Sequence, residues 1–248
     1  MGEPNTIKGR FAALCEEEHQ RLAPEGGGIG TYREKSLHRI LKRLVCDREE
    51  CWEISVGTYV ADVVQGTELT EIQTGSLRPL LPKLRYYLEE TEYSVTVLHP
   101  IIAEKMIYRM DRQTGELLRK RKSGAHGRIA DVLPELCWIS QLLPSPRLKI
   151  RVVLIGCEEY RYSERIRYRK EGAYEGEVFP REYLGEQSFS TPAEYRGFLP
   201  EADSFTAAEY GAWIKMRPRQ ANRALRALCA LKLLDRELVG RKYVYRKI

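Results

Sequence analysis

Three polar side chains stand on two neighbouring segments that otherwise have the composition of apolar strands. Asp62 lies in YVADVV, and Glu71 and Gln73 lie in LTEIQT. Because strand residues two apart share a face, Glu71 and Gln73 should point the same way, while Ile72 points to the interior. If the strands pair, the carboxylates of Asp62 and Glu71 converge. At about 4 Å they would repel by roughly 4 kcal/mol for an effective dielectric near 20, so a proton or a cation must lie between them.

Mg²⁺, or Mn²⁺ in its place, is the cation that this chemistry favours. A hard divalent ion prefers oxygen ligands and keeps several waters. One of those waters becomes more acidic and can attack phosphorus, while the ion stabilises charge on the phosphate. Two structural alternatives stay open. Asp62 could accept a hydrogen bond from the backbone, and Glu71 with Gln73 could form cross-strand pairs facing solvent.

The elements around these acids predict a mixed sheet flanked by helices. A helix over 31–45 opens with a capping box of Thr31 and Glu34 and carries an apolar stripe. Strands follow in WEISVG, YVADVV and LTEIQT, then a helix in SLRPLLPKLRYYLEE and a buried strand in SVTVLHPI. Strands alternating with helices in this order are typical of an α/β domain.

The pattern Asp62…Glu71-Ile72-Gln73, set in this order of elements, resembles the PD-(D/E)XK nuclease superfamily, which has the restriction-endonuclease-like fold. The resemblance covers residues 30 to about 102. It implies that Asp62, Glu71 and the backbone carbonyl of Ile72 hold the metal. The combination of such a core with a C-terminal winged helix is also similar to small bacterial proteins.

Two positions depart from the superfamily pattern. Ala61 replaces the usual proline, and Gln73 replaces the usual lysine. Glutamine can orient a water but carries no positive charge, and losing one electrostatic donor can cost on the order of 10²–10³ in rate. Lys83, on the following helix, is the candidate substitute cation. Glu34 matches the assisting glutamate of the first helix and equally fits its structural role in the capping box.

The rest of the first 190 residues predicts further elements around this core. His99 in VLHPI is interpreted as a packed strand histidine rather than a base. The basic run Arg119–Lys122 either clamps a nucleic-acid backbone or is a solvated tip. The predicted elements are a helix over 7–23, a Gly-rich linker over 24–30, a hairpin turning at 111–115, a helix over 128–143, a long strand over 148–162 and irregular structure with short strands over 163–190.

The C-terminal residues have the pattern of a winged helix. Capping boxes at Thr191 and Thr206 open two helices, and RQANRALRALCALKLL forms an amphipathic third. A hairpin turning at Gly240 follows. The apolar face of the third helix is predicted to consist of Ala221, Leu225, Leu228 and Leu231.

This end of the chain is also basic. Residues 204–248 hold 11 Lys and Arg against 3 Asp and Glu, within a formal net charge of +6 for the whole chain. A winged helix sets its third helix in the major groove and its hairpin against phosphates. A winged helix used for protein contact is the alternative. The residues predicted to contact DNA are Arg217, Arg219, Gln220, Asn222, Arg223 and Arg226 on the helix, and Arg241, Lys242 and Arg246 on the hairpin.

Composition excludes several other classes of protein. No run of 18 apolar residues and no signal peptide appears, which predicts no membrane segment and a cytoplasmic location. The six cysteines form no CxxC pair and are interpreted as core thiols.

The predicted domains are an N-terminal helix and linker over 1–28, a nuclease-like domain over 29–188 and a winged helix over 189–248.

These observations favour a metal-dependent endonuclease that hydrolyses phosphodiester bonds of double-stranded DNA. A non-catalytic DNA-binding regulator with a degenerate nuclease core is the main alternative, and an adaptor that binds proteins is a third. Because a duplex has two strands to cut, nuclease cores often act as dimers, and the resemblance therefore includes a homodimer among the expected partners.

Overall fold

The computed structural model describes residues 6–22, 33–111, 114–124, 126–163 and 177–248, with side chains from residue 36 in the second range. The predicted linker over 24–30 and Thr31 of the predicted capping box lie outside the described residues. The side chain of Glu34 also lies outside them.

The predicted helices over 7–23 and 31–45, the helix after Ser76 and the third C-terminal helix occur in the structure. The α-helices of the described residues are α1 (Ile7–Leu22), α2 (Arg33–Val45), α3 (Leu81–Glu90), α4 (Leu133–Leu136), α5 (Ala207–Ile214) and α6 (Pro218–Ala230). Short 3-10 helices are Glu49–Cys51, Arg78–Leu80, Ile129–Val132, Cys137–Leu142 and Pro192–Phe198. In the part of the chain that the structure describes, no helix has the length and hydropathy needed to cross a membrane.

The strands form two sheets. They are β1 (Trp52–Val56), β2 (Tyr59–Gln65), β3 (Glu68–Ile72), β4 (Ser94–Asp111), β5 (Leu117–Lys122), β6 (Leu148–Ser163), β7 (Glu177–Phe189), β8 (Ser204–Thr206), β9 (Leu234–Val239) and β10 (Lys242–Lys247). The larger sheet has the order β1-β2-β3-β4-β6-β7, with β5 paired to β4, and the smaller has the order β8-β10-β9. The β3–β4 pair is parallel, whereas β2–β3 and β4–β5 are antiparallel. The predicted mixed α/β sheet flanked by helices is therefore confirmed.

The chain divides into two compact units, each assembled from three stretches of sequence. The first comprises the described residues of Met1–Trp52, Pro100–Arg128 and Val153–Glu186, and the second comprises Glu53–His99, Ile129–Val152 and Gln187–Ile248. The long strands β4, β6 and β7 each contribute residues to both units.

The core of the first unit forms between α1 and the sheet. Phe11 of α1 packs edge-on against Tyr183 of β7, with ring centroids 5.8 Å apart. Cys15 and Cys157 are buried, and burial raises the pKa of each thiol to about 12, so both stay protonated and unreactive. All six cysteines are free thiols, and Cys229 is the one that is half-buried.

The core of the second unit lies under α3 and α6. Leu84 and Tyr87 of α3 and Leu69 of β3 are fully buried. The four residues predicted to face inward are buried, three of them on α6 and Leu231 directly after it, which confirms the apolar face. Thr206 caps α5, because its Oγ1 accepts a hydrogen bond from Glu209 N (3.4 Å) and its N–H donates to Glu209 Oε2 (2.6 Å).

Three predicted elements differ from the structure. The helix predicted over 128–143 is a series of short 3-10 and α turns, interrupted at Ile139 (φ −111°, ψ 16°). The strand predicted to end at Ile101 continues to Asp111 as β4, so it is one strand with the first strand of the predicted hairpin. The irregular stretch predicted over 163–190 contains the 13-residue strand β7. Pro180 is tolerated within β7 because β7 ends the sheet order, where a missing N–H need not break a ladder bond.

Candidate functional site

The β2–β3 hairpin brings the two predicted acids together. Its register pairs Val63 with Thr70 and Val64 with Leu69, and continuing it by one residue places Asp62 opposite Glu71. Residues opposite each other in antiparallel strands share a face. The alternation of apolar residues that predicted these strands therefore also brings the carboxylates to the same face of the sheet.

Asp62 is held by the backbone of the neighbouring strand. Its Oδ2 accepts a hydrogen bond from Ile72 N at 2.8 Å. This is the backbone contact that the sequence left open as a structural alternative. The bond orients the half-buried carboxylate towards the end of β3, where Glu71 also lies.

Glu71 is buried and makes an ion pair with α3. The residue is 1% exposed, and Lys83 Nζ donates to its Oε2 at 2.6 Å. The sequence predicted that Glu71 would face away from the interior, but its face of the sheet is covered by α3. A cation does lie beside Glu71, and in this structure it is the ammonium of Lys83.

The electrostatics of Glu71 reflect this burial. Desolvation and the nearby charge of Asp62 raise the pKa of Glu71 to about 7, against the opposing effect of Lys83. Its second oxygen, Oε1, is buried and has no hydrogen-bond partner among the described residues. The carboxylate would therefore be stabilised by a further proton or cation.

Tyr87 is a member of this site that the sequence analysis missed. It lies one turn after Lys83 on α3 and is fully buried. Burial and the charges of Glu71 and Asp62 raise the pKa of its phenol. The hydroxyl lies close enough to the Glu71 carboxylate for a hydrogen bond between them to contribute to this rise in pKa, although the contact falls outside strict hydrogen-bond geometry. The i, i+4 spacing from Lys83 was the available signal.

Gln73 and His99 make backbone contacts beside the acids. Gln73 N donates to Leu98 O at 3.0 Å, and the Gln73 carbonyl lies 2.7 Å from Nδ1 of His99. Burial lowers the pKa of His99, so the ring is neutral and donates from Nδ1 to that carbonyl. His99 is thus a packed strand histidine, as predicted.

The residues of this site supply only some of the oxygen ligands that Mg²⁺ needs. Mg²⁺ is commonly held by one or two carboxylates, with waters and substrate phosphates as the other ligands. Asp62 and Glu71 supply two carboxylates, and Glu71 Oε1 is an unpartnered buried oxygen. No group of three or more His, Cys, Asp or Glu that could hold a metal occurs among the described residues. These residues therefore fit an ion that binds together with a phosphate, rather than one enclosed by protein ligands alone.

The predicted DNA-contacting residues fall into an exposed set and a constrained set. The exposed side chains on and before α6 are Arg217, Arg219, Gln220, Asn222 and Arg226, and those at the β9–β10 turn are Arg241 and Lys242. Arg246 is exposed but forms an ion pair with Glu237 at 3.1 Å. Arg223 is half-buried, with its guanidinium carbon 4.6 Å from the ring centroid of Trp138. Arg223 therefore does not belong to the exposed stripe of α6.

The run Arg119–Lys122 lies on β5 in the first unit and is exposed. Lys122 forms an ion pair with Glu104 at 2.8 Å, and Lys120 lies over the ring of Tyr108 at 5.0 Å. The carboxylates of Asp62 and Glu71 belong to the second unit.

The structure defines a mixed α/β protein in which a half-buried aspartate lies near a buried glutamate that pairs with a lysine. Residues 35–189 match the model of a family described as a domain of unknown function, DUF8091. The match covers more than half of the chain, so the protein belongs to this family. It includes Asp62, Glu71 and Lys83 and ends with β7, before the C-terminal helices. No curated protein and no solved structure matches the sequence.

Proposed function

We propose that this protein is a Mg²⁺-dependent endonuclease that acts on double-stranded DNA. The observation that supports it most is the convergence of Asp62, Glu71 and Lys83 at the end of the β2–β3 hairpin. Two acids and an ammonium are the charged groups that the PD-(D/E)XK resemblance requires. Here the ammonium comes from α3 instead of the strand position that Gln73 occupies.

Each residue has a distinct role in this proposal. Asp62, Glu71 and the carbonyl of Ile72 would hold the ion, which when bound makes a water more acidic and offsets negative charge on the phosphate. Lys83 holds its ammonium beside the acids, where it stabilises charge that develops on the phosphate oxygens. Gln73 can orient the attacking water through its amide.

The C-terminal elements support an assignment as a winged helix that delivers the DNA. A 3-10 helix, α5 and α6 are followed by the β9–β10 hairpin, and β8 completes a three-stranded sheet. The exposed Arg219, Asn222 and Arg226 lie on one stripe of α6 and suit the major groove. Arg241 and Lys242 at the hairpin turn are placed to contact phosphates of the DNA backbone.

One observation favours a second candidate, a DNA-binding regulator without catalysis. Lys83 already neutralises Glu71 at 2.6 Å, so this acid has a partner in the absence of metal. A buried ion pair of this kind can be purely structural. In that case the acidic pair would be a remnant of a nuclease core, and the winged helix would carry the function.

A plasmid assay separates the two candidates. Supercoiled DNA is incubated with EDTA, Mg²⁺ or Mn²⁺ and with wild type, Asp62→Asn or the matched control Glu68→Gln, an exposed acid on the same strand as Glu71. The nuclease predicts metal-dependent nicking that Asp62→Asn lowers by about 10² or more and that Glu68→Gln retains. Retardation of DNA without nicking under either metal would replace the nuclease with the regulator. Failure to retard DNA at low salt would leave the protein-binding adaptor.

A further inference from the structure

Two arginines from separate elements of the second unit lie over one tryptophan. Arg78 begins the 3-10 turn that leads into α3, and its guanidinium carbon is 5.2 Å from the ring centroid of Trp138. Arg223 of α6 lies 4.6 Å from the same centroid. Because both distances end at one ring, the two guanidinium carbons lie within about 10 Å of each other.

Neither guanidinium has a carboxylate partner among the described residues. Glu135, an acid on the same segment as Trp138, accepts hydrogen bonds from Ser76 Oγ (2.8 Å) and Leu77 N (3.1 Å) instead. By contrast, Arg43 and Arg181 each pair with a glutamate at 2.9 Å or less. Two like charges therefore lie over one neutral ring, and neither forms a salt bridge within the described part of the chain.

The exposure of the two groups shows that a ligand can reach them. Arg78 is exposed, and Arg223 and Trp138 are half-buried. Stacking on the indole uses the flat face of a guanidinium and leaves its N–H edges available for hydrogen bonds. A planar fork of N–H donors matches the oxygens of a phosphate group in a bidentate way.

We propose that Arg78 and Arg223, positioned by Trp138, form a phosphate-binding site. It rests on the proposed function for its ligand, the phosphate of a DNA backbone. Arg78 lies five residues before Lys83 and joins β3 to α3, whereas Arg223 lies on α6. The site thus links the helix proposed to bind DNA with the element that carries Lys83. In this role Arg223 contacts the backbone rather than a base.

The test measures binding of a short labelled duplex in EDTA over a series of salt concentrations. Variants are Arg78→Gln, Arg223→Gln and the control Arg85→Gln, an exposed arginine two turns further along that bonds to Gln141. Each loss of a phosphate contact lowers the slope of log K against log salt by about 0.9. We expect this drop for both site variants, with about 3- to 10-fold weaker binding, and no drop for the control. Arg78→Lys and Arg223→Lys keep the charge and should retain most of the slope.

A second arm identifies the source of the phosphate. Inorganic phosphate is titrated by calorimetry into the wild type and the double variant R78Q/R223Q. Heat from wild type that the double variant lacks, with duplex binding unchanged, would assign the site to a small phosphate ligand and overturn the DNA assignment. A lower slope of log K against log salt for DNA, together with no heat from free phosphate, supports the DNA backbone as the ligand.

A purely structural stack gives a different result. Circular dichroism and thermal unfolding of the same variants would then show a lower melting temperature, while the salt slope of both variants matches wild type. That outcome overturns the site. The proposed nuclease is tested separately, because nicking by wild type with unaltered slopes would sink the site alone. Altered slopes without nicking would sink catalysis alone.

Discussion

The β2–β3 hairpin and α6 both belong to the second unit, but the hairpin buries its charged Glu71 whereas α6 exposes its arginines to solvent. Glu71 is 1% exposed and is compensated by a single ammonium at 2.6 Å. Arg219 and Arg226 on α6 stand in solvent. A buried charge depends on one or two partners, so each partner is worth several kcal/mol. Exposed charges contribute little to stability and act through their sum on a polyanion.

The largest effect is expected from removing the partner of the buried acid. Lys83→Met leaves the Glu71 carboxylate uncompensated and should lower the free energy of unfolding by about 3 kcal/mol near pH 8. The loss should be smaller near pH 5, where Glu71 carries a proton. Urea denaturation at both pH values measures it. Arg85→Met on the same helix is the control and should stay within about 0.5 kcal/mol. A loss below about 1 kcal/mol near pH 8 would mean that this charge behaves like those of α6.

The pH dependence of stability should come from the same acid. The pKa of Glu71 is about 7 in the folded protein and lies near its ordinary value of 4.5 in the unfolded chain. The folded state therefore binds the proton more tightly, and the resulting stability is present below about pH 4.5 and lost as the pH rises through 7. From pH 5 to pH 8 this amounts to about 2–3 kcal/mol.

Glu71→Gln removes the titrating group and should flatten that part of the stability profile. Glu68→Gln on the exposed side of the hairpin should leave the profile unchanged. Urea midpoints across the pH range provide the measurement. Parallel profiles for wild type and Glu71→Gln would show that another group is responsible.

An intermediate effect is expected where a half-buried group makes defined hydrogen bonds. Thr206 caps α5 through the reciprocal contacts with Glu209. Thr206→Ala should cost about 1 kcal/mol in unfolding free energy, and Thr206→Ser should restore most of it. Urea unfolding resolves this difference. Equal stability of the alanine and serine variants would show that the cap contributes little.

The smallest effect on stability is expected on α6. Arg226→Gln should change the unfolding free energy by less than about 0.5 kcal/mol. Its effect should appear in DNA binding, where the salt slope falls by about 0.9. Arg196→Gln, an exposed arginine of the preceding 3-10 helix, is the control with no change in slope. An unaltered slope for Arg226→Gln would remove this stripe from the proposed DNA interface.

Much of the fold could be predicted from local patterns. The alternation around Asp62 and Glu71 predicted β2 and β3, and the stripe from Ala221 to Leu231 predicted α6. The capping box at Thr206 predicted where α5 begins. The segment over 128–143 could not be assigned in the same way, because its buried leucines fit a continuous helix and the interruption at Ile139 has no sequence signal. The length of strand β7 was not predicted because its polar and aromatic residues show no clear alternation.

The candidate site, like the fold, could be predicted from the sequence only in part. Residue types and spacing alone determined that two acids would share a hairpin and that a cation would have to lie near them, because the period of a strand and Coulomb repulsion act locally. Only the tertiary structure decided that α3 covers Glu71, that Lys83 provides the cation and that Trp138 gathers Arg78 and Arg223. Those contacts join residues distant in the chain, and they depend on how helices pack on the sheet, which no local pattern specifies.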